Sequence, residues 1–213
     1  PPFNRVRFFS LFITVFLLTI ICQGEIAPSS MTELIRAVGA LIGHVIDFPY
    51  SPVRLVVLML PDDATVEQIN LLRATAGLSY LISLVTLATF IIILRVQGWP
   101  LKSGAFNVWI NLPTFDPTAG GDVVTRLERD ARVNIVLGFL LPFVVPAIID
   151  AAGTLTSAVS LDNYHTLIWT VAAWAFLPAS LFLRGIAMGR IAKMITAKRR
   201  ESSAAEQGDL LPA

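Results

Sequence analysis

Few residues of this chain could do chemistry, and the best candidates are ionisable groups set against long apolar runs. Asp150 directly follows the run Val133 to Ile149, with Pro142 and Pro146 just upstream. A proline inside a helix removes one backbone donor and leaves the carbonyl four residues earlier without its partner, so the helix can open around a proton or a bound cation. A carboxylate one turn away would complete such a site, and a charge at membrane depth is a functional candidate by default because its burial is costly. Asp150 and Pro146 are therefore the candidate ion or proton site. The plainer expectation places Asp150 at headgroup level, since the run Val133 to Ile149 already uses 17 residues.

A second candidate group is His44, Asp47 and His165. The first two are three apart and share a helix face, and His165 stands at the start of a later apolar run. Together they would suit a proton relay or a metal site; separately they would anchor helix ends at a membrane interface by hydrogen bonding. A third group is cationic. Arg126, Arg129 and Arg132 recur every third residue, and Arg190, Lys193, Lys198, Arg199 and Arg200 crowd a later stretch. These are candidates for contact with lipid headgroups or a partner, against the simpler role of a positive flank that orients the chain in a bilayer.

No HExxH, P-loop, GxSxG or paired CxxC pattern occurs, and the Gly120–Gly121 turn lacks the preceding strand that a phosphate loop requires. The single cysteine, Cys22, excludes an intrachain disulfide and any multi-cysteine metal site, and its apolar setting reads as a small buried hydrophobe. No catalytic residue or metal ligand is assigned, and the residues identify no cofactor: one histidine in a span is compatible with a pigment, a haem or nothing.

What must position these groups is set by composition. Apolar residues make up 55% of 213 positions and charged residues 15%, against roughly 25% in a soluble domain, which is more apolar surface than one soluble core can hide. A net charge of +1 argues against nucleic acid as a partner, since phosphate binding needs a basic face. Four runs are long enough to cross a bilayer. The first, Phe8 to Cys22, follows Arg5 and Arg7, lacks a small-residue cleavage pattern and is expected to remain as an anchor. Ala74 to Leu94 is the clearest, 21 residues without a charge, closed by Arg95 and Trp99. Val133 to Ile149 should kink or partly unwind at its prolines and continue towards Ser160. Tyr164 to Leu183 ends at Arg184, with Pro178 bending its last turns. If the chain crosses four times, 13 of its 16 lysines and arginines fall on one side, leaving Arg36, Arg54 and Arg73 on the other, so both ends are expected in the cytoplasm.

Between the first two spans, Met31 to Asp47 reads as an amphipathic helix with Leu34, Ile35, Val38, Leu41, Ile42, Val45 and Ile46 on one stripe. Ser30 with Glu33 predicts a capping box at its start, and Pro49 and Pro52 end it. Val53 to Leu60 is apolar but too short to span. Residues 31–60 fit an interfacial helix, a re-entrant hairpin or a packed cover on the bundle, with the interfacial arrangement favoured because charges oppose the stripe. Asp63 is expected to cap a further helix through Val66, Ile69 and Leu72. After the second span, Trp99, Phe106, Trp109, Ile110 and Phe115 among prolines suggest an ordered loop against headgroups or a partner. Small residues concentrate in the last two spans and favour close helix packing.

The sequence thus reads as an all-α integral membrane protein: one helical domain over residues 1–200 with spans at about 5–23, 74–96, 133–158 and 164–184, an amphipathic or re-entrant segment at 31–60, and a polar tail at 201–213. Its expected role is a non-catalytic subunit of a larger membrane complex, in a bacterial-type inner membrane, with the lipid bilayer and other membrane subunits as partners. The alternative from another class is a small oligomeric ion channel or transporter using the Pro142 to Asp150 region. The two halves show no internal repeat, which weakens an inverted-repeat transporter.

Overall fold

A computed structural model describes residues 2–61, 63–99, 121–153 and 163–209. Six helices carry the described chain: α1 (Pro2–Ile26), α2 (Ser30–Ile46), α3 (Pro52–Val57), α4 (Val66–Val96), α5 (Val123–Gly153) and α6 (Tyr164–Asp209). Four of them, α1, α4, α5 and α6, are long and apolar enough to cross a membrane. In hydrocarbon every backbone polar group must be satisfied within the fold, and a helix does this within its own segment.

Cross-helix contacts fix the directions. Thr86 of α4 bonds Ser10 near the start of α1, while Gly39 of α2 lies between Ile21 of α1 and Ala74 of α4, so α1 and α4 are antiparallel. Ser83 and Leu94 of α4 meet Ala175 and Arg190 of α6, so α4 and α6 are parallel. Gly185 of α6 sits on Ala131 of α5 and Trp174 reaches Pro142, so α5 and α6 are antiparallel. Both ends of the described chain therefore lie at one end of the bundle, with the flanks of Arg5, Arg95, Arg132 and Arg184. We refer to it as the basic end. The opposite, acidic end carries α2 and α3.

Helices α1, α4 and α6 pack mutually around Leu18, Ile21, Leu72, Leu78, Val171 and Trp174. α5 lies outside them, against α6 and α3. Serine and threonine let these apolar helices meet closely: Ser83 Oγ donates to the Ala175 carbonyl at 3.0 Å, and Thr86 Oγ1 to Ser10 Oγ at 2.9 Å. The first bond is buried and the second partly so, where exchange with solvent weakens them less.

The helix starts differ in detail from the sequence reading. α2 is capped by Ser29, whose hydroxyl accepts from Thr32 N while Thr32 Oγ1 accepts from Ser29 N at 2.8 Å, one residue earlier than the expected Ser30–Glu33 box. The shorter Thr32 side chain closes the reciprocal pair, and Glu33 is left exposed in the first turn, where its charge suits the helix dipole. α4 starts from Thr65, boxed with Gln68, and not from Asp63, which is exposed two residues earlier. The unwinding expected around Pro142 and Pro146 is absent: α5 is helical from Val123 to Gly153. The expected continuation towards Ser160 falls at residues outside those described, as does most of the aromatic loop after Trp99. Residues 201–209, read as a polar tail, prolong α6.

α2 crosses the acidic end of the bundle. Its stripe divides in two: Ile35, Ile42 and Ile46 turn inward with Gly39 and Gly43, whereas Leu34, Val38, Leu41 and Val45 are exposed on an adjacent flank. Glu33, Arg36 and His44 occupy the third face. Contact with α4 is backbone to backbone, for a Cβ added at Gly77 would lie 2.4 Å from Gly43 Cα. Only glycine at both positions allows this approach.

Candidate functional site

At the acidic end Asp47 holds three elements together. It ends α2, its Oδ2 accepts from Arg73 Nε of α4 at 2.7 Å, and its Oδ1 lies 3.1 Å from Arg54 Nε of α3. The Asp47 side chain is 7% exposed and that of Arg73 15%. A charge so far out of water needs its partner, and the bracket supplies it. His44, one turn earlier, is exposed, with Nδ1 2.9 Å from the Ala40 carbonyl of its own helix. His165 is also exposed, and its backbone N–H donates to Asn163 Oδ1 at 2.8 Å, closing the first turn of α6. The expected group of His44, Asp47 and His165 is thus dispersed into separate hydrogen-bonding roles. Among the described residues no cluster of three or more His, Cys, Asp or Glu has metal-holding geometry.

A cavity of about 300 Å³ opens at the same end of the bundle, between the last turn of α1, the first turns of α4 and α6, and Leu60. Its polar rim is Glu25, Thr65, Glu67, Gln68 and Tyr164. Glu25 is nine-tenths buried, with Oε1 3.1 Å from Arg36 Nη1 of α2, and Glu67 lines the same rim. Two carboxyls and a guanidinium at one mouth can hold a proton or a small cation. Neither Glu25 nor Glu67 is among the candidates that residue type and spacing single out. Their meeting was legible in principle, because one ends an apolar run and the other precedes the next, and antiparallel neighbours bring those termini together.

The second element of chemical interest is where α5 and α6 pass their prolines. Pro146 has no N–H for the Pro142 carbonyl, and that carbonyl instead accepts from Trp174 Nε1 of α6 at 3.1 Å, a buried bond. Pro178 likewise deprives the Trp174 carbonyl, and one residue on the Ala175 carbonyl accepts from Ser83 Oγ. At the Pro142 carbonyl, then, a neighbouring helix supplies the donor that Pro146 lacks, and α5 passes this proline without unwinding. This also bears on the ion site expected at Asp150 and Pro146: the carbonyl freed by Pro146 is occupied by an indole, and Asp150 is exposed at the far end of the helix.

At the basic end α5 and α6 continue past the apolar runs as a helical pair with a core of its own, formed by Leu127, Ala131, Met188, Ile191, Ala192 and Met194. Asp122 caps α5 by accepting from Thr125 N at 3.0 Å, and its other oxygen accepts from Arg199 Nη1 of α6 at 2.7 Å. These bonds hold the exposed Asp122 carboxyl below its ordinary 3.8, Arg199 foremost. Arg190 is turned inward: Nη1 donates to the Leu94 carbonyl in the last turn of α4 at 2.8 Å and to the Trp99 carbonyl at 3.3 Å. A guanidinium on otherwise orphaned C-terminal carbonyls is a helix cap. Of the expected headgroup or partner contacts, then, Arg190 and Arg199 have partners within the chain. Arg129 lies 3.4 Å from Asp130, Arg126 is partly buried, and Arg132, Lys193, Lys198 and Arg200 are exposed.

With this geometry in hand, comparison with protein-family models, curated proteins and solved structures returns no match.

Proposed function

We propose that this chain is a non-catalytic integral subunit of a larger membrane assembly, anchoring and stabilising its partners from a bacterial-type inner membrane with both termini in the cytoplasm. The observation that carries the reading is the extension of α5 and α6 beyond the bilayer-spanning runs. Spanning needs about 20 residues, whereas α6 has 46, a rod of roughly 69 Å at 1.5 Å per residue. The extension has a separate core, a capped tip and an inter-helix ion pair, while Lys193, Lys198 and Arg200 face outward. An ordered cationic projection suits contact with an acidic partner surface better than it suits simple retention, for which unstructured charges suffice.

The test is lysine-directed crosslinking in native membranes followed by purification in mild detergent. A heteromeric product is expected, and the double change Lys193→Glu with Lys198→Glu should lower the partner recovered without crosslinker at least several-fold while the chain stays in the membrane. Recovery of a monodisperse monomer, with and without crosslinker, would overturn the proposal. A small channel or transporter working through the Pro142 to Asp150 region is the competing proposal. It predicts that Asp150→Asn abolishes flux in reconstituted vesicles, and the engagement of the Pro142 carbonyl by Trp174 removes one of the ligands it would use.

A further inference from the structure

The proline-bearing helices enclose a second cavity, of about 240 Å³, that presents no polar surface. One wall is the α5 stripe Leu141, Val145 and Ile149, and the other is Ala173, Trp174 and Leu177 of α6. Along α5 the lining residues recur every fourth position, so the cavity is a slot parallel to the helix axes, roughly 12 Å long at 1.5 Å per residue. Val56 and Met59, from and just beyond α3, close its acidic end.

The slot has a structural cause. Nearer the basic end α5 and α6 are zipped by small residues: a Cβ added at Gly138 would meet the Pro178 carbonyl at 2.9 Å, and one at Gly185 the Ala131 carbonyl at 2.8 Å. Beyond this zip the bulky indole of Trp174 stands between the helices. It is fixed by its bond to the Pro142 carbonyl and by stacking on Tyr80 at 5.9 Å, so α6 cannot settle onto Val145 and Ile149. Pro146 and Pro178 line the gap, and apart from Thr170, which exposes no polar surface to it, both helices face it with apolar side chains.

We propose that this slot holds one hydrocarbon tail of a membrane lipid, inserted parallel to the bundle axis. Five observations select that occupant. Both long walls belong to spanning helices, so the slot lies within the apolar part of the bundle. It is continuous with the surface those helices turn outward, for Leu177 at its edge is 52% exposed and Val144 and Ile148 on the adjoining face of α5 are 40% and 60% exposed. Ala173 lines it and is exposed, a small residue that leaves room for a chain to pass. Water has no polar partner inside, and a void would forfeit dispersion contacts that a methylene chain provides. The slot follows the helix axes, the mean direction of acyl chains in a bilayer. A bound tail would occupy the gap between α5 and α6 and fasten the outlying α5 to the rest of the bundle.

Trp174 reports on the occupant directly. A variant keeping Trp174 alone, with Trp99, Trp109 and Trp169 changed to Phe, is reconstituted into dioleoyl phosphatidylcholine vesicles and into vesicles of the same lipid brominated on its chains. Although the indole is 5% exposed, its emission should fall by roughly half in the brominated vesicles, because bromine quenches at near-contact and a tail in the slot makes that contact. Ala173→Phe in the same background should restore the emission; Ala173→Leu serves the same purpose if the larger side chain prevents folding. Equal Trp174 emission in both vesicles, with the exposed Trp169 of a sister variant quenched, would overturn the proposal and point to a slot closed by protein. Quenching that survives both fillings of the mouth would overturn it too.

Discussion

Asp47 shows at the scale of one residue how a plausible chemical group becomes a structural one. Its carboxylate was a candidate because it shares a helix face with His44, yet a buried anion takes the best cations within reach. Arg73 and Arg54 reach it from α4 and α3, 26 and seven residues along the chain. Asp47→Ala leaves the largely buried Arg73 without its counter-ion, and a loss of about 2 kcal/mol is expected, from a charged hydrogen bond removed at a partly sheltered site. Thermal unfolding in detergent measures it: Asp47→Ala should melt well below the parent and His44→Ala close to it. Equal melting of all three would mean that the bracket contributes nothing. Residue-scale chemistry was the least legible part of the sequence. Glu25 with Glu67, Asp47 with Arg73, and Trp174 with the Pro142 carbonyl are all pairs remote in sequence, and no spacing rule links their members. Local signals misjudged by small steps as well, since Ser29 with Thr32 and Thr65 with Gln68 displaced the caps expected at Ser30 and Asp63 through choices among adjacent hydroxyl and carboxyl groups.

At the scale of elements the sequence said more, because apolar length and periodicity are properties of a segment by itself. The four runs all lie in spanning helices, and α2 has the predicted amphipathic character. What periodicity could not supply was the division of its stripe between a flank on the bundle and a flank left exposed, since that depends on where α4 lies. The Gly43–Gly77 crossing decides it. Gly77→Leu should displace α2 and cost about 2 kcal/mol or more, as overpacking against backbone does. The variant should also expose Gly39 and Gly43 to amide hydrogen exchange, with α5 and α6 unchanged. The tip joining α5 to α6 is expected to respond to acid. The folded-state pKa of Asp122 is depressed by Arg199, so the stabilisation it gives is present above the ordinary carboxylate value of 3.8 and is lost as pH falls through the lower folded value. Distance measurements between spin labels at Val124 and Ala197 should show the tip loosening only below about pH 4, and Asp122→Asn should show the loosened tip at neutral pH. A tip insensitive to both would remove the ion pair from the account.

The whole molecule combines two asymmetries, of charge and of shape. Cationic side chains flank all four spanning helices at the basic end, whereas the acidic end carries Glu25, Glu33, Asp47, Asp63 and Glu67 with three arginines, two of them bracketing Asp47 and one beside Glu25. At the acidic end Glu25, Asp47 and the three arginines are thus paired inside the fold, and much of the charge at the basic end is left outward, where it can orient insertion. Cysteine labelling from one side of a sealed membrane checks the arrangement. Native Cys22 is buried and 2% exposed, so it contributes little labelling, and a Cys22→Ala background removes any residual signal. Ala37→Cys on the polar flank of α2 and Ser202→Cys on the α6 extension are both exposed positions at opposite ends of the bundle. An impermeant maleimide added outside intact cells should label Ala37→Cys and leave Ser202→Cys unmodified until the membrane is opened. Labelling of Ser202→Cys alone would invert the molecule and place the cationic projection outside. Labelling of both from one side would break the antiparallel order on which the close contacts of α1 with α4 and of α5 with α6 depend.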